Sequence, residues 1–234
     1  MVPSLRPVAA EVVHRAALAP GERVLDVGTG TGIGAQAAVG QGRTVIGIDA
    51  AEGMLEAART SVAGASFERM DFHDLDFGDA SFDCVIAVHA LLFASDRVAA
   101  LAEWRRVTRP GGRLSLSVPG PDEVTPSAIY AEIYARNGIH TGGRYPTQDA
   151  LAALATDAGW RKVRVETDPA HQIRLPDEDA FRLWRSIGSR GAATADWSSE
   201  RHDALTAEML AVTPRAADGS LQIPFGAMYL SAGR

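Results

Sequence analysis

At 234 residues and 46% hydrophobic, the chain is long enough for one large domain with a full core. A net charge of −6 and a pI near 5.5 disfavour a nucleic-acid binder, which carries a basic face. The single cysteine, Cys84, rules out an internal disulfide and suits a reducing cytoplasm.

The N-terminal stretch lacks the basic start and apolar core of a signal peptide. No apolar run reaches the ~20 residues that span a bilayer, so no membrane partner is expected. Lys162 is the only lysine; with the many alanines, this reads as a high-GC bacterial codon bias.

Along the chain, 5–18 has apolar residues at helical spacing. "RVLDVG" is a buried strand, "GIGAQAAVGQG" an Ala-rich helix, "RTVIGID" a second strand and "AEGMLEAARTSV" a helix. "ASFERMDF" and "FDCVIAVH" are the third and fourth strands. Ser95 or Asp96 caps the helix "SDRVAALAEWRRVT", and "RPGGRLSLSVPG" turns into a fifth strand. Thr147 caps "TQDALAALATDAGW", "KVRVETDP" is a sixth strand, and "LQIPFGAMYLSAGR" is the last, with Pro224 placing a break or an edge near its start. Between the final two strands, 177–213 looks helical, broken near "GSRGAATADWSS". Strands alternating with helices predict an α/β, doubly wound, mostly parallel seven-stranded sheet with a helical insertion at 170–222. The chain is expected to form a single domain, 1–234.

The stretch "VLDVGTGTG", 24–32, carries the chemistry. In open parallel sheets ligands sit beyond the carboxyl ends of the strands, where strand order reverses. Gly28, Gly30 and Gly32, with Thr29 among them, let the backbone approach a ligand closely. The pattern does not choose the ligand, since Gly30 through Ala35 also fits a dinucleotide fingerprint and Asp49 stands near the position of a ribose-binding acid. Asp26 discriminates: a carboxylate there would repel a pyrophosphate by several kcal/mol on a Coulomb estimate, and would accept an ammonium. Asp26 capping a turn is the plainer reading. The Tyr/Lys pair of short-chain dehydrogenases is also missing, because Tyr130 and Tyr134 have no lysine nearby.

These residues resemble a known family. "VLDVGTGTG" is similar to the D-x-G-x-G-x-G motif of class I S-adenosylmethionine-dependent methyltransferases. "IGIDAAEGMLEAAR", "FERMDFHDLDFGDASFDCVIAVHALLF" and "AEWRRVTRPGGRLSLS" resemble the family's later motifs, in order. The resemblance covers 5 to about 120 well, "RYPTQDALAALATDAGWRKVRV" weakly, and 170–222 not at all. The nearest likeness is to the bacterial group that methylates quinones, sterol-like compounds and secondary metabolites. It implies a Rossmann-like fold, S-adenosylmethionine as cofactor with S-adenosylhomocysteine as product, and a small, partly apolar acceptor methylated at O, N or C. A non-methylating member of the fold, such as a cyclase, keeps the same cofactor residues.

By this resemblance Asp26 serves the methionine amino group, Asp49 both ribose hydroxyls and Asp71 the adenine amino group. The Phe72 N–H meets a ring nitrogen, and Ala50 and Met54 pack on adenine. The alternative for Met54 is helix core.

A positively charged sulfur already activates the methyl group, so the protein mainly has to align donor and acceptor, with a base only for a weak nucleophile. His89, after the fourth strand, is the first candidate base; its alternative is to bond the cofactor's carboxylate or the backbone. His140 and Tyr145 lie in a Gly-rich loop that either closes over substrate or faces solvent; His171 and Arg144 rank below them. Asp74 and Asp76 lack the Glu a calcium loop needs, so no metal is expected. Large apolar residues in 177–213 (Phe181, Leu183, Trp184, Ile187, Trp197, Leu205, Met209 and Leu210) predict a lid over an apolar acceptor pocket. A homodimer interface is the competing account. Base methylation of nucleic acid is disfavoured by the acidic pI and by "IAVHALLF" in place of an Asn-Pro-Pro segment.

Overall fold

The computed structural model describes residues 5–139, 147–186 and 194–234. Strands buried on both faces read as continuous apolar runs, and four of the predicted strands behave that way. In β1 (Arg23–Val27) every residue after Arg23 is buried. β2 (Thr44–Asp49) and β4 (Phe82–Val88) are nearly as enclosed, as is the second half of β5 (Thr108–Pro119). With β3 (Ala65–Arg69), β6 (Arg161–Asp168) and β9 (Ala227–Gly233) they form one seven-stranded sheet in the order β3-β2-β1-β4-β5-β9-β6. β1 pairs in parallel with β2 and with β4, β2 with β3, and β4 with β5. The chain thus winds outward from β1 to β3, then restarts beside β1 with β4. That reversal places a crevice beyond the carboxyl ends of β1 and β4.

The helices are α1 (Arg6–Ala16), α2 (Ile33–Ala38), α3 (Glu52–Ser61), α4 (Arg97–Val107), α5 (Ser127–Arg136), α6 (Gln148–Asp157), α7 (Glu178–Arg185) and α8 (Ser199–Val212). Of the two candidate caps for α4, the chain uses Asp96, which accepts from the Ala99 N–H at 2.9 Å. Thr147 caps α6 at 3.2 Å as its position predicts. No described helix is long and apolar enough to cross a membrane.

Two compact units divide the chain. The first comprises the described residues through Val118, then α6 and β6 through Thr167, and Met228–Arg234. Its core includes Leu25, Ile48, Val85, Leu116, Trp104 and Trp160. Arg106 fixes the connection between β3 and β4: its guanidinium donates to the carbonyls of Phe77 (2.8 Å) and Leu75 (2.9 Å) and to Asp79. Glu103 braces it at 2.7 and 2.8 Å and also accepts the Leu75 N–H.

The second unit draws on 119–139 as well as on the described residues of Asp168–Ala227. The expected insertion at 170–222 is therefore neither wholly helical nor alone. β7 (Gln172–Leu175) and β8 (Leu221–Pro224) form a separate antiparallel pair. The break expected at Pro224 in "LQIPFGAMYLSAGR" is present, and it separates two strands: β8 ends at Pro224 and β9 begins at Ala227. α5 was not anticipated; its Ile129, Tyr130, Ile133 and Tyr134 carry the i, i+4 pattern that announces it. Four of the eight large apolar residues singled out in 177–213 are buried in this unit's own core, and Trp197 and Leu210 pack against it half-buried. Phe181, Trp184, Leu205 and Met209 gather with Tyr130, Leu221 and Ile223, while Leu183 stays exposed. Their abundance is thus satisfied largely within the unit. Ile187 lies outside the described residues.

Candidate active site

The loop leaving β1 is held by its own side chains. Asp26, the fourth residue of β1, is 1% exposed. Its Oδ2 accepts from the Thr29 hydroxyl (2.6 Å) and from the Ala35 N–H (2.7 Å). Ala35 lies in the first turn of α2, whose backbone N–H groups are the kind that bind phosphate. The chain's own carboxyl takes that N–H. One donor of the helix terminus is thus taken from a phosphate, in addition to the charge repulsion inferred from sequence.

Burial pushes the Asp26 carboxyl up to about 7, against the lowering by its bonds to Thr29 and Ala35. So Asp26 does close a turn, the plainer of the two readings. Its other oxygen, Oδ1, is buried with no hydrogen-bond partner, which leaves one acceptor unused. A side chain at Gly34 would come within 2.6 Å of that oxygen; Gly34 is a requirement of the site that the motif alone does not mark.

The glycines of the loop differ in what they border. A Cβ at Gly28 would lie 2.5 Å from the Ala90 Cβ, so the loop after β1 touches the loop after β4. A Cβ at Gly32 would meet Val62 at 2.8 Å and Ala58 at 3.2 Å. Only at Gly30, with φ near +55°, would an added Cβ meet no protein atom within 4 Å. Gly28 and Gly32 are needed by the protein's own packing; Gly30 is where the backbone stands open to an incoming molecule.

Asp49 ends β2 and links two loops. Its Oδ2 accepts from the Gly30 N–H and its Oδ1 from the Ala51 N–H, both at 2.9 Å. Each carboxylate oxygen retains a further lone pair, suited to a pair of vicinal hydroxyls. The Thr29 N–H donates to the Ile48 carbonyl at 2.8 Å, and the Met70 N–H to the Asp49 carbonyl at 3.1 Å. The loops after β1, β2 and β3 are thus joined by hydrogen bonds.

Asp71 lies in the loop after β3, largely exposed, with Oδ1 accepting from the His73 N–H and facing His73 Nδ1, both at 2.9 Å. The His73 backbone bond holds its carboxyl below the usual range. Phe72 is fixed by the Trp104 indole N–H, which donates to its carbonyl at 3.0 Å, and by an edge-to-face contact between the rings. Ala50 is exposed, and Met54 is 48% exposed, so Met54 is not helix core.

His89 follows β4 with φ near +55° and is buried. Its Nδ1 lies 3.0 Å from the Ser117 hydroxyl, and its N–H donates to the Ser117 carbonyl at 3.0 Å. Val88 and Ser117 are register partners of β4 and β5, an arrangement no local motif announces. His140, with Arg144 and Tyr145, lies outside the described residues. His171 stands in the second unit, 3.6 Å from Asp168. Cys84 is fully buried in β4, its thiol pushed up to about 12 by desolvation, so it offers no thiolate at neutral pH.

A family model described as a methyltransferase domain matches residues 25–116, the span from β1 through most of β5. A nocamycin O-methyltransferase from Saccharothrix syringae is 30% identical, over 97% of this chain and 90% of its own length. A demethylmenaquinone methyltransferase from Beutenbergia cavernae is 36% identical, over 62% of this chain and 68% of its own. Among solved structures, the YcgJ protein from Bacillus subtilis superposes with a TM-score of 0.65 at 19% identity, covering 97% of this chain and 98% of that one. The crevice at the β1/β4 reversal, the Asp26-braced loop opening at Gly30 and these relatives agree: the chain belongs to the class I S-adenosylmethionine-dependent methyltransferases.

Proposed function

We propose that this methyltransferase transfers a methyl group from S-adenosylmethionine to an oxygen, nitrogen or carbon atom of a small, partly apolar metabolite. The observation that carries the reading is the open approach at Gly30, bonded through its N–H to the Asp49 carboxylate. The residues present fit the cofactor. Asp26 Oδ1 is a buried acceptor with no protein partner, suited to the methionine ammonium. Asp49 has acceptor capacity for the ribose hydroxyls, and Met54 and Ala50 offer an uncovered apolar surface for adenine. When bound, the cofactor supplies an electrophilic methyl group on a sulfonium sulfur.

The chain's own work is to bind, orient and exclude water. His89, held through Ser117, is the group we assign to taking a proton from a weakly nucleophilic acceptor. The two relatives named above act on small molecules by their names, which supports a metabolite acceptor. We propose that the second unit sets acceptor choice, since the family model ends at residue 116 and the unit keeps an aromatic core of its own. Calorimetry with S-adenosylmethionine, S-adenosylhomocysteine and NADH tests the cofactor. Saturable binding of the first two is expected; binding of NADH alone overturns the reading. Cofactor bound, but never consumed with any acceptor of a metabolite panel, would favour the non-methylating alternative.

A further inference from the structure

In the second unit an arginine is buried with no counter-ion among the described residues. Arg185 closes α7 and is 7% exposed. Its Nη2 lies 2.8 Å from His202 Nδ1. Arginine has no acceptor, so His202 Nδ1 accepts and that imidazole carries its proton on Nε2. Arg185 Nε and Nη1 are buried and have no hydrogen-bond partner. Among the described residues no carboxylate stands within ion-pairing distance of it; the neighbouring Asp203 is engaged by Arg182 at 2.6 Å. Desolvation draws the guanidinium below its ordinary value, yet arginine stays charged.

Burying a charge is unfavourable unless a partner and hydrogen bonds compensate it. Among the described residues nothing in the unit supplies that partner. Two buried neighbours on the same helix are apolar: Trp184 precedes Arg185, Phe181 lies one turn back, and both are buried with Tyr130 and Tyr134.

We propose that Arg185 is an anion-recognition residue whose occupant is a monoanionic oxygen group, a carboxylate or enolate, on an apolar body. Among the described residues no second uncommitted cation stands beside this guanidinium, since Arg182 is paired with Asp203, and one cation matches a single negative charge. A phosphate dianion would call for more positive charge than Arg185 supplies. The aromatic neighbours suit the apolar part. Naming this occupant as the methyl acceptor rests on the methyltransferase reading; the anion site itself does not.

The test uses the full chain, saturated with S-adenosylhomocysteine, and sodium benzoate as the probe. Benzoate should bind saturably by calorimetry, and its neutral counterpart benzamide should not. Arg185→Gln should weaken benzoate at least about tenfold, the loss expected of a charge-assisted bond, while S-adenosylhomocysteine affinity stays unchanged. Arg185→Met, which removes an uncompensated buried charge, should unfold at a higher temperature than wild type in the absence of benzoate. Failure of benzoate to bind the wild type, equal benzoate affinity in Arg185→Gln, or inorganic phosphate bound more tightly than benzoate would overturn the proposal. A lower unfolding temperature for Arg185→Met would do so as well, by assigning the residue a structural role. If wild type binds benzoate but not S-adenosylhomocysteine, the cofactor reading fails and the anion site stands.

Discussion

Gly30→Ala and Gly32→Ala make a matched pair, because both residues have positive φ and differ only in what a methyl group would meet. An alanine forced into the left-handed region costs about 1–2 kcal/mol, partly offset by the ~0.4–1 kcal/mol gained from a stiffer unfolded chain. Gly30→Ala should therefore destabilise by about 1 kcal/mol, lowering the unfolding temperature by roughly 2–4 °C for a chain of this size. At Gly32 the added Cβ sits 2.8 Å from Val62 Cγ2, 3.2 Å from Ala58 Cβ and 3.3 Å from Phe67 Cζ. Overpacking of that kind adds about 1–3 kcal/mol, for a fall of roughly 4–15 °C. For cofactor binding the order reverses. A methyl group at Gly30 projects into the approach and should cost about 1–3 kcal/mol there, or ~5–150-fold in Kd. Thermal unfolding followed by circular dichroism, with calorimetric titration of S-adenosylhomocysteine, reads both quantities. Wild-type affinity in Gly30→Ala, or equal unfolding temperatures for the two variants, would refute the assignment of Gly30 to the ligand and Gly32 to the core.

The Asp26 carboxyl, pushed up to about 7 by burial, titrates near 3.9 when unfolded. The unfolded chain thus releases this proton first, and the group's contribution to stability falls as pH rises from about 4 to about 7. Urea unfolding of wild type against Asp26→Asn should show that slope in the difference between them; a pH-independent difference would contradict it. In the same window the ionised form gains a cationic partner from the cofactor, so affinity for S-adenosylmethionine should rise with pH through about 7 in wild type and stay flat in Asp26→Asn. His89→Asn keeps a residue tolerant of positive φ and should lower kcat by about 10²–10⁴-fold at unchanged cofactor affinity if the imidazole is the base; weaker cofactor binding with kcat preserved would assign it to the cofactor instead. Arg106→Ala strands the Glu103 carboxylate and frees the loop carbonyls of Leu75 and Phe77, which should cost about 2 kcal/mol, a fall of roughly 4–8 °C; a shift under about 1 °C would show that the loop holds without it.

The parts legible in the sequence are those whose physics is local. β1, β2 and β4 announce themselves because burial on both faces demands unbroken apolar runs, and Asp96 and Thr147 because a cap acts within three residues. The loop after β1 is legible as a loop, yet the work of Asp26 is not. Whether a carboxyl in that position faces a ligand or seals a helix terminus depends on where Thr29 and Ala35 settle around it, and the structure shows one oxygen used for the seal and the other left over. Ser117 escapes sequence reading for a similar reason, since only the register of β4 against β5 brings it to His89.

Acceptor recognition is the hardest part to read. The reacting group belongs to the cofactor, so no fixed set of catalytic side chains has to appear in the chain. Specificity then rests on single residues whose meaning comes from burial alone. Arg185 is one arginine among many in an arginine-rich sequence, and nothing in "FRLWRSIG" separates it from Arg182 three positions earlier. Folding pairs Arg182 with Asp203 at the surface and encloses Arg185 with two donors unmet. The same residue type thus carries a surface ion pair at one position and an unpaid buried charge at the next turn. A chain under selection for stability alone would place a methionine or leucine at 185, and that difference makes Arg185, rather than the more numerous aromatic residues around it, the place to test for the proposed anion.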